Sequence, residues 1–137
     1  MNNCIFCKIA NGEIPAYKIY EDENVLAILD ISQATKGHTL VIAKKHYRNL
    51  YDISEELAGN IFKVVPKIAN AIKKAFNPIG LNVIVNTEKP LQTVMHFHLH
   101  IIPRYSSDSV EINFINNQSN TSKIMYEEIR NKIVNQL

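Results

Sequence analysis

The sequence is poor in the features that mark membrane, secreted and nucleic-acid-binding proteins. No apolar run reaches the roughly 18 residues that a membrane-spanning helix requires, and the start of the chain lacks the basic segment followed by an apolar one of a secretory signal. Two cysteines are too few for a disulfide scaffold. Fifteen Lys and Arg against 13 Asp and Glu leave a formal charge of +2, without the basic surplus that gripping duplex DNA requires. We therefore expect a soluble, cytoplasmic protein that binds neither membranes nor nucleic acid.

What the chain does contain is the composition of one ordinary globular domain. Of its 137 residues, 46% are hydrophobic and 20% charged, enough to bury roughly two thirds of the unfolded surface. No repeat or linker divides residues 4–104, which we take as the core of a single domain spanning 1–137. Residues 105–122 are rich in Ser, Asn and Asp and predict a loose loop with a short edge strand at 110–114, so 105–137 is a variable tail.

Hydrophobic spacing predicts one long helix and two short terminal ones. Apolar residues recur every three or four positions over 54–76. Pro66 lies inside this segment and predicts a kink or a break, at a cost of about 3 kcal/mol if unrelieved. A short helix is predicted at 4–11, closed by Gly12. In the tail, another helix is predicted because four apolar residues lie four positions apart: Met125, Ile129, Ile133 and Leu137.

Five short segments have the composition of β-strands. They are residues 17–20, 25–29, 38–43, 81–85 and 94–102. The acidic turn between the first two predicts a hairpin. Strands with one main helix inserted between them fit an antiparallel α+β sandwich.

Three histidines alternate with apolar residues in the run His96-Phe97-His98-Leu99-His100. Side chains of a strand alternate between its faces, so the imidazoles project to one side with neighbours about 6.6 Å apart. Burying three imidazoles without partners would be costly, so the row indicates a function. Two interpretations stay open here: all three rings bind a metal, or one is a nucleophile oriented by its neighbours.

Cys4 and Cys7 have the two-residue gap that is typical of zinc-binding thiolates. They supply only two of the four ligands of a tetrahedral site, so we expect histidines to complete it. The candidates are the five histidines of the chain: His38, His46, His96, His98 and His100. A thioredoxin-like redox pair is less favoured, because such a pair normally follows a strand in a βαβ unit.

Residues 96–102 follow the pattern His-apolar-His-apolar-His-apolar-apolar, which resembles the histidine-triad (HIT) family of nucleotide-binding hydrolases and transferases. Other segments resemble its Hint branch, with an N-terminal Cys pair, in register: 4–9, 13–16, 20–22, 29–32, 37–42, 44–46, 80–82 and 92–94. The resemblance covers about residues 4–104. It implies the HIT fold, a five-stranded antiparallel sheet with one long helix and short terminal helices, and a homodimer.

The resemblance implies catalysis through a covalent histidine adduct. His98 matches the family's nucleophile, which attacks the α-phosphorus of a nucleotide to form a nucleotidyl-histidine that water hydrolyses. Its other ring nitrogen should donate to an acceptor, in the family a backbone carbonyl of the same strand. His100 would stabilise charge developing on the phosphate. Thr93 stands where relatives commonly have a Ser that helps protonate the leaving group, and His38 joins the same histidine cluster.

Further positions match the family's contacts to a purine nucleotide. Gln92 and Asn86 match polar contacts on the phosphate and ribose side, and Asp30 matches the carboxylate that takes the ribose hydroxyls. An apolar base pocket is implied at Phe6, Ile9, Ile28 and Leu40, and Ile31 is a further expected nucleotide contact. Leu91 replaces a glycine of the relatives, which would stiffen or shift the phosphate loop.

The resemblance also implies a structural zinc ion. Relatives with the N-terminal Cys pair hold zinc with that pair, a His after the third strand and the first His of the triad. The matching residues are Cys4, Cys7, His46 and His96. Four protein ligands would close the tetrahedron and leave no open position for water.

The activity implied is hydrolysis of a nucleoside monophosphate ester or amide, such as an adenosine phosphoramidate. Cleavage of dinucleoside polyphosphates, or nucleotidyl transfer, would use the same nucleophile, and neither the triad nor the pocket decides the leaving group. Two alternatives belong to other classes: a nucleotide-binding interaction module with little catalysis, and a purely metal-binding protein that uses all the histidines.

Overall fold

The computed structural model describes residues 3–137 and contains one five-stranded antiparallel sheet in the order β1-β2-β3-β5-β4. The strands are β1 Lys18–Glu21, β2 Val25–Leu29, β3 Thr39–Ala43, β4 Gly80–Ile84 and β5 His98–Arg104. The helices are α1 Ile5–Ala10, α2 Glu55–Phe76 and α3 Lys123–Val134, with a 3-10 turn at Gln118–Asn120. The predicted α+β class, with one long helix and short terminal helices, is confirmed.

The sheet is covered on both faces, so its central strands alternate between two cores. On one face, Val41, Leu99 and Ile101 pack against the apolar stripe of α2. On the other, Leu40 and Ile42 pack against α1. Each such buried side chain stabilises the fold by about 1.5–3 kcal/mol. The histidine row therefore shares its face with α1.

The predicted alternation of the histidine row is confirmed, but strand five begins at His98 and not at residue 94. The amide of Phe97 donates to the Tyr47 carbonyl at 2.7 Å, and the amide of His96 donates to the Val94 carbonyl at 2.9 Å. These bonds take the amides of residues 96 and 97 out of the strand ladder, although the Phe97 carbonyl still accepts from the Ala43 amide at 3.3 Å. His96 consequently lies just before the strand.

Helix α2 is unbroken from Glu55 to Phe76, so the break predicted at Pro66 is wrong. Pro66 and Phe62, whose carbonyl loses its helical partner, are both exposed, which lets water satisfy that carbonyl. Ser54 caps the first turn by accepting from the Leu57 amide at 3.2 Å. Tertiary packing of the opposite face thus outweighs the local penalty of the proline.

The edge strand predicted at 110–114 is wrong, because no strand follows Arg104 in residues 105–137. β5 already has β3 and β4 on its two sides, so a returning hairpin finds no free edge beside it. The Arg104 guanidinium also bonds Asp108 at 3.0 and 3.1 Å and the Val110 carbonyl at 2.6 Å, which turns the chain away. The predicted tail helix forms as α3, but none of its residues is buried.

No helix within residues 3–137 combines the length and apolar character needed to cross a membrane.

Candidate functional site

Three chain segments bring four predicted site residues, His98, His100, His38 and Asp30, together on one face of the sheet. His98 and His100 lie on β5, opposite Ile42 and Leu40 of β3. His38 immediately precedes β3, and Asp30 immediately follows β2, to which β3 is paired. Neighbours in an antiparallel ladder present their side chains on the same face. The sheet register therefore collects residues that are up to 70 positions apart in the chain.

His98 is held in one tautomer by its own chain. Its Nδ1 lies 2.7 Å from the His96 carbonyl oxygen, so this nitrogen carries the proton and donates. The side chain is only 6% exposed, and burial lowers the pKa of His98, which keeps the ring neutral. Within residues 3–137, Nε2 has no hydrogen-bond partner, and no buried side-chain nitrogen there lacks one, so Nε2 is open to solvent. The ring thus offers an unprotonated nitrogen.

His38, His100 and Asp30 form a second polar group on the same face. His38 Nε2 lies 2.9 Å from His100 Nδ1, and Asp30 Oδ2 lies 3.4 Å from His38 Nε2 and 4.0 Å from His100 Nδ1. Burial, together with the neighbouring His98 and His38, lowers the pKa of His100 to about 4. Burial also lowers the pKa of His38, against the opposing charge of Asp30. Both rings are therefore neutral at physiological pH.

The predicted base pocket gathers beside the histidine row. Its four residues belong to the buried cluster under α1: Phe6, Ile9, Ile28 and Leu40. The Phe6 ring stands edge-on to the His98 ring, with 4.9 Å between centroids. Ile31 is 81% exposed and lies outside this cluster. The four buried residues form an apolar wall next to His98.

Gln92 is placed as the anchor of a loop. Its side chain is 3% exposed, and its amide nitrogen donates to the carbonyls of Arg48 at 2.8 Å and Val94 at 3.0 Å. Its amide oxygen accepts from the Glu88 backbone at 3.0 Å and from Asn49 at 3.2 Å. The whole hydrogen-bonding capacity of the amide is thereby committed within the protein.

Thr93 and Asn86, in contrast, have free side chains. Neither side chain forms a hydrogen bond with the described residues, and Thr93 is exposed in a cleft that it shares with Cys4 and Ile5. Leu91 is also exposed, one residue ahead of Gln92. The Thr93 hydroxyl is therefore available to a bound molecule.

Sequence reasoning missed an ion pair that ties two loops of the site together. Arg48 donates from Nε and Nη2 to the two carboxylate oxygens of Glu88 at 2.9 and 2.8 Å, and Asn49 also donates to Glu88. The Arg48 guanidinium and the Asn49 amide hold the pKa of Glu88 at about 2. No local pattern could have revealed this pair, because its members are 40 positions apart. It joins the loop that follows His46 to the loop that precedes His96.

The four predicted metal ligands converge at the opposite end of the histidine row. Cys4 Sγ lies 3.2 Å from His96 Nδ1, Cys7 Sγ lies 3.3 Å from His46 Nδ1, and the two Nδ1 atoms are 3.1 Å apart. A tetrahedron with zinc bonds of about 2.3 Å to sulfur and about 2.05 Å to nitrogen has edges of about 3.6 Å and about 3.3 Å. These donor separations are therefore slightly shorter than the edges of a zinc tetrahedron, and all four donor atoms lie within 4.8 Å of one another.

The protonation of this cluster also fits a cation. His96 Nε2 lies 2.5 Å from the Ala43 carbonyl, so Nε2 carries the proton and Nδ1 offers its lone pair to the cluster. Burial and the adjacent Cys4 sulfur raise the pKa of the Cys7 thiol to about 11, so a Cys7 thiolate at neutral pH needs a positive charge beside it. Two thiolates and two imidazoles are donors that suit a soft, tetrahedral dication.

The HIT domain family model matches residues 11–107. The chain belongs to the HIT family. "Protein hit" of Bacillus subtilis is 62% identical to this HIT protein over 104 residues, which are 75% of this chain and 72% of that protein. The crystal structure of a HIT family protein from Bacillus anthracis is 50% identical, with a TM-score of 0.96, covering 99% of this chain and 98% of that one. The HIT fold implied by the histidine pattern is confirmed.

Two further relatives are described by a metal that one binds and by a reaction that the other catalyses. A crystal structure of a Zn-bound histidine triad family protein from Mycobacterium smegmatis is 40% identical, with a TM-score of 0.75, covering 87% of each chain. "Adenylylsulfatase HINT3" of Arabidopsis thaliana is 42% identical over 108 residues, which are 78% of this chain and 55% of that protein.

Proposed function

We propose that this HIT protein binds a purine nucleotide and hydrolyses a nucleoside monophosphate ester or amide, of the adenosine phosphoramidate kind, through a covalent adduct on His98. The observation that carries the proposal is the state of the two nitrogens of the His98 ring. Nδ1 donates to the His96 carbonyl at 2.7 Å, and Nε2 is unprotonated and open to solvent. A histidine nucleophile needs this combination of free lone pair and fixed orientation. The relative named as an adenylylsulfatase supports an adenylyl substrate.

The reaction proceeds in two balanced steps. His98 Nε2 forms a bond to the α-phosphorus while the bond from phosphorus to the leaving oxygen or nitrogen breaks, and the leaving group takes the electron pair and a proton that the Thr93 hydroxyl relays from solvent. Water then attacks phosphorus and loses a proton, the phosphorus–nitrogen bond breaks, and His98 is released. The His96 carbonyl stabilises the positive charge that the adduct places on the ring, because it accepts from Nδ1 throughout.

The surrounding polar groups divide the remaining tasks. His100, with His38 behind it at 2.9 Å, faces the charge that develops on the phosphate oxygens. The Thr93 hydroxyl serves the leaving group, while Asp30 and Asn86 serve the ribose and phosphate side. Gln92 contributes by holding the Thr93 loop, since its own amide is committed to Arg48, Val94, Glu88 and Asn49.

We also propose that Cys4, Cys7, His46 and His96 hold a structural zinc ion, the arrangement of the Hint branch. The donor distances, the His96 tautomer and the Zn-bound relative from Mycobacterium smegmatis support it. Such an ion supplies structure and no open coordination position, because the four ligands are protein atoms. Both cysteines are free thiols, and a reducing cytoplasmic compartment preserves thiols for this purpose.

A homodimer is the assembly that we propose. β4 is an edge strand with one side of its backbone unpaired, and the apolar stripe of α3 is exposed, with Ile129 at 51% and Ile133 at 60%. A helix of 12 residues is marginal on its own in water, so α3 calls for a partner surface. The Bacillus anthracis structure matches 99% of this chain, so most of the tail follows the same course in a second protein. A second copy of the chain that covers α3 would bury this exposed stripe and hold the tail in the same course in both proteins.

Turnover on two substrates tests the function. We expect hydrolysis of an adenylated amine to exceed hydrolysis of a diadenosine polyphosphate, and His98→Ala to abolish both. A preference for the polyphosphate would indicate that the protein uses His98 to cleave dinucleoside polyphosphates instead. Wild-type turnover in the His98→Ala protein would reject the proposal, and tight nucleotide binding without turnover would indicate an interaction module.

A further inference from the structure

A backbone amide fixes the proton position on His38. The amide of Ala34 points at His38 Nδ1, at a distance of 3.1 Å. A backbone N–H can only donate, so Nδ1 must be the unprotonated nitrogen, and the neutral ring carries its proton on Nε2. A second proton on Nδ1 would face this N–H directly. His38 is therefore an Nε2–H donor.

The proton on His38 in turn fixes the state of His100. His38 Nε2 lies 2.9 Å from His100 Nδ1, closer than the 3.4 Å to Asp30 Oδ2. Because His38 donates, His100 Nδ1 must accept, and the neutral His100 ring carries its proton on Nε2. This nitrogen makes no hydrogen bond with the described residues and is open to solvent. The His100 ring lies beside the His98 ring, with 5.2 Å between centroids.

Gln33 holds the loop that presents the Ala34 amide. Its side-chain nitrogen donates to the carbonyls of Asp30 at 2.6 Å and His38 at 2.7 Å, and its oxygen accepts from the Gly37 amide at 2.9 Å. Two carbonyls and one N–H as partners leave only one orientation for the amide. Gln33 thus closes residues 30–38 into a fixed loop, and Ala34 is the next residue along it.

We propose that Gln33 is a positioning residue that acts through the Ala34 amide and His38 to make His100 an Nε2–H donor. In the proposed function, on which the catalytic part of this inference rests, that N–H meets an anionic phosphate oxygen. A ring of the other tautomer would present a lone pair there and repel the oxygen. The two hydrogen bonds from Ala34 to His38 and from His38 to His100 therefore decide whether His100 attracts or repels the phosphate oxygen.

The same chain argues against a second metal site. Asp30 Oδ2, His38 Nε2 and His100 Nδ1 lie close enough together to share an ion. A metal on His38 Nε2 would require the proton on Nδ1, where the Ala34 amide opposes it. The alternative in which all the histidines bind metal is disfavoured for this reason.

Nitrogen-15 spectra of the imidazoles test the tautomers without any substrate. In the zinc-loaded protein at neutral pH, we expect both His38 and His100 to show a protonated Nε2 and an unprotonated Nδ1. Gln33→Ala should give mixed tautomers on both rings. Ser32→Ala is the matched control, because the side chain of this exposed neighbour forms no hydrogen bond with any residue that the structure describes, and it should leave both rings unchanged. A wild-type His100 protonated on Nδ1 would overturn the proposal whether or not the protein is an enzyme.

Kinetics and a second variant pair complete the test. Gln33→Ala should lower kcat about tenfold with little change in KM, since the ring is displaced and not removed. Gln33→Glu keeps an acceptor but loses both donors, so it should behave like Gln33→Ala. The side-chain amide in His38→Gln can still donate to His100 Nδ1, so His100 should keep its proton on Nε2. In His38→Leu this donor is lost, and His100 should not keep that tautomer. Unchanged tautomers and kcat in Gln33→Ala would refute the role of Gln33. The expected tautomers in a protein without turnover would instead reject the proposed function.

Discussion

The backbone carbonyl of His96 accepts the Nδ1–H of His98 at 2.7 Å, while the His96 ring faces two cysteine sulfurs. One residue thus belongs to the metal cluster through its side chain and to the nucleophile through its main chain. Anything that moves His96 must also turn His98. The proposed zinc cluster and the proposed chemistry are therefore coupled through this residue.

Removing the metal should therefore cost both stability and activity. We expect one zinc per chain, and a site filled to 1,000 times its dissociation constant stabilises the folded state by about 4 kcal/mol. Chelation, or Cys4→Ser, should lower Tm by roughly 10 °C or more and lower kcat with it. Metal analysis and thermal unfolding check this, with re-addition of zinc to the chelated protein as the control. More than one zinc per chain, or an unchanged Tm after chelation, would contradict it.

Asp30 is expected to act on the ribose. Asp30→Asn keeps an oxygen for the Ser32 amide, which Oδ1 binds at 2.8 Å, but loses the charge that strengthens a bond to a ribose hydroxyl. We expect KM for a ribonucleotide substrate to rise about tenfold or more, as for a lost hydrogen bond to a charged group. The 2′,3′-dideoxynucleotide is the internal control, because it lacks the ribose hydroxyls, and its KM should change little. An equal rise in KM for both substrates would indicate that Asp30 acts only on His38 and His100 and not on the ribose.

The Thr93 hydroxyl is predicted to serve poor leaving groups. Thr93→Val has nearly the same shape and should lower kcat about 100-fold for an amine leaving group, the size of a lost proton-transfer partner. Thr93→Ser should stay near wild type. A substrate with a strongly acidic leaving group needs no proton and should be insensitive to both changes. Turnover of the Val variant equal to wild type on the amine would remove Thr93 from the mechanism.

How much of this site the sequence could predict depends on whether its causes are local. Alternation of His98 and His100 with Leu99 and Ile101 follows from the period of a strand, and the spacing of Cys4 and Cys7 needs only one helical turn. Register between distant strands then brought His38 and Asp30 to the same face, as the family resemblance implied.

The other features of the fold and the site depend on contacts between residues far apart in the sequence, which no short motif predicts. The start of β5 depends on the Phe97 amide finding the Tyr47 carbonyl, 50 positions away. Gln92 reads as a substrate contact in its motif, yet the carbonyl of Arg48, 44 positions earlier, takes its amide. Pro66 reads as a breaker, and only the burial of the opposite face of α2 shows why the helix survives it.

The exposed stripe of α3 is predicted to be an assembly surface. Ile129→Glu combined with Ile133→Glu should convert a dimer to a monomer, because each change places a charge on an apolar contact. Glu127→Ala, on the same helix, is the control and should leave the dimer intact. Light scattering coupled to size-exclusion chromatography checks both proteins. A wild-type monomer would contradict the proposed assembly, as would a double variant that remains dimeric.

Intact-mass analysis after brief mixing with an adenylated amine shows whether His98 forms a covalent adduct. Wild-type protein should gain the mass of one adenylyl group, the gain should decay as water releases the nucleotide, and the His98→Ala protein should never show it. Hydrolysis by the wild type with no adduct at the shortest mixing times, or an adduct of the same mass on the His98→Ala protein, would contradict attack by His98.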